Sequence, residues 1–227
     1  MRSEIRQEIV DRVVARRGKL HLFDSLDAKK TALLVIDMQN AFVAPGAPVE
    51  VPAAREIVPS INRLAAELRR RGVPVIWVLH ENSRDGSDWD GFFGAFVAPE
   101  SRAKAAAALT AGSAMQTLWP ELEVARGDLR VAKNRYSPFI AGSSNLKSLL
   151  EGKDTLLIAG TKTNVCCECT ARDAMMLDYR VVMLSDCTAA LSADEHRATL
   201  ENMIQQFGDV LTADEALSLF DRRSARP

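Results

Sequence analysis

The sequence predicts an α/β protein: a six-stranded, mainly parallel sheet with helices on both faces, a Rossmann-like three-layer sandwich. Short apolar, β-branched runs alternate along the chain with helix-compatible stretches, which is the pattern of parallel strands joined by crossover helices. One of those stretches carries Ile57, Ile61, Leu64 and Leu68 at i, i+4, i+7 and i+11, with Pro59 in its first turn and Gly72 closing it. The length of 227 residues suffices to bury one core, and no internal repeat or low-complexity linker divides it.

Taken in order, residues 1–17 place Ile5, Ile9 and Val13 at helical spacing with Arg and Glu between them. An Arg-rich amphipathic start is a transit-peptide trait, but Glu4, Glu8 and Asp11 argue against one, so a surface or subunit-contact helix is expected within a helical extension over residues 1–28. Strands are expected at residues 32–36, 73–79, 129–132, 155–159, 180–184 and 209–211. Further helices are expected at residues 144–150, 165–177, 194–206 and 214–219. Between the second and third strands, residues 81–128 are rich in Gly, Asp, Ser and Ala, with Trp89, Phe92, Phe93, Phe96 and Trp119 interspersed. A connection of that length is usually functional, and a cover over the site or a subunit contact is expected, with a short helix at residues 103–109.

Composition narrows the partners. Lys and Arg number 29 against 30 Asp and Glu, a formal charge of −1, which gives no electrostatic basis for binding nucleic acid or an anionic membrane. A small-molecule partner is expected instead. Cys166, Cys167 and Cys169 lie too close together for a usual disulfide framework and, with Cys187 and no apolar signal segment, predict a reducing cytoplasm. His21, His80 and His196 are scattered, and Cys-Cys-x-Cys lacks a second ligand pair, so no metal and no cofactor are expected.

In open α/β sheets ligands bind beyond the carboxyl ends of the strands. Three reactive residues fall there: Asp37 ends TALLVID, Lys133 ends LRVAK, and Cys166 follows TLLIAG after a short Thr/Asn loop that leads into a helix. Each also has a structural explanation, as a turn cap, a solvated strand end and a buried core thiol. Together they supply what a thiol hydrolase needs. A free thiol is only a few per cent ionised at neutral pH and requires a base or a cation. A carboxylate can be that base when burial raises its pKa, and a lysine beside it holds the anionic forms together. His80 is the one histidine in a comparable position, and its sequence neighbours offer no cysteine partner.

The segments LLVIDMQNAF, VAKNRYSPF and AGTKTNVCCECTARDA resemble the three signatures of the isochorismatase-like cysteine hydrolase superfamily, and the resemblance covers nearly the whole chain after about residue 30. It implies a six-stranded parallel sheet, a homo-oligomer (tetramer or dimer), and a catalytic triad of Asp37, Lys133 and Cys166. It also implies a cis peptide at Thr161-Lys162, with the N–H groups of Lys162 and Cys166 forming the oxyanion hole.

Within that superfamily the metal-binding Asp-x-His motif typical of nicotinamidases is missing from HENSRDGSDWDGFF after His80, and Cys166 disfavours isochorismate chemistry. Lys-x-Arg-Tyr-Ser from Lys133, the doubled cysteine, Thr-Ala-Arg-Asp from Thr170 and the late Phe207-Gly208 look like ureidoacrylate, N-carbamoylsarcosine, and biuret or triuret hydrolases. Gln206 stands where ureidoacrylate hydrolases more typically carry an aromatic residue. Its amide both donates and accepts, which favours biuret or triuret; its alternative is an exposed helix end. Arg135 and Lys162 are candidate partners for a substrate carboxylate, and Asn40 and Phe42 are expected to line the pocket. The expected activity is release of ammonia from the terminal amide of a small ureide, with a non-catalytic metabolite-binding protein as the rival.

Overall fold

The structure, a computed structural model, describes residues 5–83 and 87–221; residues 1–4, including Glu4, 84–86 within the irregular connection, and 222–227 lie outside it. Six strands form one parallel sheet: β1 (Thr31–Ile36), β2 (Val75–His80), β3 (Leu129–Lys133), β4 (Thr155–Thr161), β5 (Arg180–Ala189) and β6 (Asp209–Leu211). Their order is β3-β2-β1-β4-β5-β6, so the chain reverses its direction of travel between β1 and β4. Every residue of β1, β2 and β4 is buried, as expected for strands covered on both faces.

Strand alternation sorts the core into two layers. Leu33 and Val35 face one side with Trp77, and pack against Ile61, Leu64 and Leu68 of α3 (Val58–Arg70) and against α9 (Ala213–Phe220). Ala32, Leu34 and Ile36 face the other, with α1 (Gln7–Arg17), α7 (Glu168–Met176) and α8 (Ala193–Asn202). Four short helices complete the chain: α2 (Asn40–Val43), α4 (Asp90–Ala95), α5 (Pro99–Ala108) and α6 (Leu146–Leu149). Among the described residues no helix is long and apolar enough to cross a membrane.

Several expected elements change extent. Among the described residues of the N-terminal extension the helix covers Gln7–Arg17 and ends at Gly18 in the left-handed conformation; residues 18–30 run as an irregular strap. Its apolar stripe, Ile9 and Val13, docks on the chain's own core, and Arg6 donates to both oxygens of Glu201 on α8 at 2.8 and 2.6 Å. β5 continues five residues beyond its apolar stretch because Thr188 and Ala189 pair with Gly160 and Thr161 beyond a bulge that β5 carries opposite Ile158–Gly160. The two helices expected at residues 165–177 and 194–206 each contain a wider turn, Thr163–Cys167 before α7 and Met203–Phe207 after α8.

Gly160 marks where the sheet tolerates no side chain. Its φ is 109°, and a Cβ there would overlap the backbone carbonyl of Ile36, the residue before Asp37. Gly160→Ala therefore combines backbone strain with a clash between β1 and β4, and is expected to cost about 3 kcal/mol or more in urea unfolding at pH 7. A loss below about 1 kcal/mol would show that the two strands do not meet as closely as described.

Candidate active site

The carboxyl ends of β1, β2 and β3 bring one residue each to a common point. Asp37 follows β1 with φ at 54°, a left-handed conformation that aspartate tolerates better than most side chains, and its N–H donates to Val78 O at 2.8 Å. His80 ends β2 and Lys133 ends β3, and the two are register partners, so their side chains leave the sheet on the same face. The Lys133 ammonium donates to Asp37 Oδ2 at 2.9 Å and meets His80 Nδ1 at 3.3 Å. Both members of the Asp37–Lys133 ion pair have fully buried side chains.

Electrostatics follow from that burial. Burial opposes the charge on Lys133, but the Asp37 carboxylate and the Cys166 sulfur outweigh it and raise the lysine above its ordinary value. For His80, burial first and the neighbouring ammonium second push the pKa down to about 4, so the imidazole is neutral at physiological pH. Its Nε2 then carries the proton and donates to Asn82 Oδ1 at 2.8 Å. Burial also pushes the Cys166 thiol well above its usual range, with Asp37 adding to the shift and Lys133 opposing it. Cys166 thus rests as a neutral thiol beside a buried carboxylate. Asp37 Oδ1 makes no hydrogen bond among the described residues that meets ordinary geometry, and the nearness of that carboxylate to the thiol is one cause of the raised Cys166 pKa.

Cys166 sits in the turn Thr163–Cys167. The peptide before that turn, Thr161-Lys162, is cis. The Lys162 carbonyl accepts the N–H groups of Val165 and Cys167, both at 3.1 Å, and neither bond uses the N–H of Cys166. Thr170 Oγ1 donates to Cys166 O at 2.6 Å, and Thr163 Oγ1 lies 2.8 Å from His196 Nδ1, so α7 and α8 both hold the turn.

Lys162, Val165 and Cys166 form one wall of a cavity of about 430 Å³. Five aromatic residues, Phe42, Trp89, Phe92, Phe93 and Tyr136, share the rest of the lining with aliphatic side chains and with His80, Asn82 and Lys104. Aromatic contacts hold this lining together: Trp89 lies 4.8 Å from both Phe92 and Tyr136, and 6.2 Å from His80. The irregular connection thus does supply a cover, through Trp89 and the residues of α4 and α5.

The structure brings Asp37, Lys133, Cys166, Lys162 and Phe42 to this place, but not three other expected residues. Asn40 is outside the cavity because its side-chain amide is engaged by Ala114 O at 2.8 Å and Thr117 Oγ1 at 3.0 Å, tying down the loop over α2. Arg135 stands behind the wall, its guanidinium 5.1 Å over the Trp89 ring and bonded to Asn134 O. Gln206 is exposed, because the wide turn after α8 directs it to solvent while Phe207 takes the inner contact against Arg172 at 4.0 Å. His80, Asn82 and Tyr136 are the site residues that sequence reasoning passed over. His80 pairs with a lysine 53 positions away, which only sheet register reveals.

A family model for the isochorismatase domain matches residues 31–215. A probable inactive nicotinamidase of Arabidopsis thaliana is 36% identical over 183 residues, covering 77% of this chain and 88% of that protein. A ureidoacrylate amidohydrolase of Variovorax paradoxus is 32% identical over 219 residues, covering 86% and 83%. The solved structure of a cysteine hydrolase from Pseudomonas syringae pv. phaseolicola superposes with a TM-score of 0.79 at 30% identity, covering 87% of this chain and 95% of that one.

Removing one partner from a buried ion pair leaves the other charge uncompensated. Asp37→Asn is expected to cost about 3 to 5 kcal/mol in denaturant unfolding and, through loss of the base, on the order of 10³-fold in turnover. A variant that stays as stable and as active as the parent would contradict the arrangement.

Proposed function

The chain belongs to the isochorismatase family, and on that premise we propose that it is a cysteine amidohydrolase that releases ammonia from the terminal carbamoyl or amide group of a small planar substrate. The observation that carries the reading is the buried Asp37–Lys133 pair beside a neutral Cys166 thiol at the wall of a cavity with a largely apolar, aromatic-rich lining.

In the proposed mechanism Asp37 takes the Cys166 proton as the sulfur attacks the substrate carbonyl. Lys133 balances the negative charge passing between carboxylate, sulfur and oxygen. Backbone N–H groups of Lys162 and Cys166 receive the developing oxyanion, a contribution commonly worth about 3 to 4 kcal/mol per donor in related acyl transfers. Collapse of the tetrahedral species breaks the C–N bond, and the nitrogen leaves as ammonia with the proton held by Asp37. The same carboxylate then deprotonates a water, whose attack on the thioester frees the acid and restores the thiol.

Cavity chemistry bears on the substrate. Aromatic walls suit a flat, conjugated molecule, and Lys104 and Lys162 place two cations among the lining residues, which suits an anionic end. That combination fits a ureido acid of the ureidoacrylate type, the activity named for the Variovorax paradoxus relative. Biuret and triuret take second place, because Gln206, the residue that favoured them, is exposed and outside the cavity.

Ammonia release from ureidoacrylate, N-carbamoylsarcosine, biuret, triuret and nicotinamide, each with EDTA and with a Cys166→Ala control, tests the proposal. Ureidoacrylate is expected to turn over fastest, unaffected by EDTA, with the alanine variant silent. Preference for biuret or triuret would return Gln206 to the site, and full turnover by Cys166→Ala would overturn the mechanism.

A further inference from the structure

Lys133 is held by two acceptors, not one. It ends β3, whereas its ion-pair partner follows β1, and β2 lies between them. Two strand spacings amount to about 10 Å, so the lysine stem must cross over the end of β2 to reach Asp37. His80 is the residue at that end, and its Nδ1 meets the crossing ammonium at 3.3 Å. Resting on the amidohydrolase reading, we propose that His80 is a positioning residue: its neutral imidazole takes one ammonium proton of Lys133 at Nδ1, Asp37 takes the second, and the third is left for the Cys166 sulfur.

The surroundings of His80 fix both its place and its tautomer. Gln39 clamps the backbone from just beyond the adjacent carboxyl end of β1, accepting from His80 N at 2.7 Å and donating to His80 O at 3.0 Å. Asn82 Oδ1 takes the Nε2 proton at 2.8 Å, so the lone pair is at Nδ1, toward the lysine. Trp89 stacks on the ring. Burial agrees with this assignment, since it holds the ring neutral at physiological pH. The charged and titratable groups that bear on Lys133 are Asp37 after β1, Cys166 and Cys167 from the turn Thr163–Cys167, Cys169 from α7 and Tyr136 from beyond β3; Arg135 bears on His80 itself. Among the described residues the ammonium is within hydrogen-bonding distance of Asp37 Oδ2 and His80 Nδ1. Without Nδ1 a buried ammonium proton has no partner, the lysine gives up its charge more readily, and the thiolate loses support.

The test separates the acceptor from the bulk of the ring. His80→Asn keeps a polar atom near the place of Nδ1, whereas His80→Phe keeps the volume and removes the acceptor. Alkylation of Cys166 by iodoacetamide, quantified on its own peptide from pH 6 to 10, reads thiolate formation without any substrate, and thermal unfolding checks that each variant is folded. In His80→Phe the pH profile of alkylation is expected to shift up by about one pH unit, so that at any pH below the thiol's pKa the rate is about tenfold slower, while His80→Asn stays within about threefold of the parent. If His80→Phe does not fold, Asn82→Leu reaches the same atom from the far side: it frees the Nε2 proton to move to Nδ1, and the profile is expected to shift in the same direction. Identical profiles for all variants, or an equal loss in His80→Asn and His80→Phe, would overturn the role of His80. A His80-dependent profile in a protein that turns over none of the five substrates would overturn the substrate reading and leave the positioning role standing.

Discussion

The rest of the site depends on one buried ion pair. Asp37 and Lys133 are both removed from water, and each pays several kcal/mol of lost hydration that only its partner and further hydrogen bonds can offset. That requirement dictates much of the local architecture. Asp37 adopts a left-handed backbone at the end of β1, and a long flexible stem is needed at Lys133 to cross β2. Gly160 has no Cβ because the backbone of β1 lies against it just before the aspartate. Such a pair is weak evidence for stability, since apolar side chains would fill the space at lower cost. Its presence makes sense as preorganised charge, fixed before the substrate arrives.

On the proposed reading, preorganisation explains why Cys166 can rest as a thiol. Burial raises Cys166 far enough that a standing thiolate is disfavoured, which differs from the ion-paired cysteine of a helix-terminus site. In the proposed mechanism the proton moves only when attack on a carbonyl makes the sulfur a better acid. Burial of the Asp37–Lys133 pair contributes, since a low local dielectric would strengthen the interaction of Lys133 with charge that develops in the transition state.

The parallel sheet was readable because its strands are short, apolar and separated by helices of clear period, and the reactive residues were readable because they stand at strand ends, where parallel sheets place ligands. Residues whose role is set by distant partners were not readable. His80 looked isolated because its companion, Lys133, is brought to it by strand register. Asn40 lies three residues from Asp37 and was expected in the pocket, yet its amide is taken up by a loop more than 70 residues away. Gln206 was assigned on the fit of its amide to a ureide, whereas the wide turn at residues 203–207 decides where it points. Helix Asp194-to-Gln206 periodicity could not announce that turn, because the apolar spacing of Leu200, Met203 and Ile204 fits a continuous helix equally well.

The most direct test of the account is the intermediate itself. With a substrate that turns over, rapid acid quenching followed by peptide mass mapping should find an acyl group on Cys166 during the steady state, absent from Cys167 and Cys169. No adduct on any cysteine under conditions of full turnover, or an adduct on another residue, would contradict covalent catalysis by Cys166.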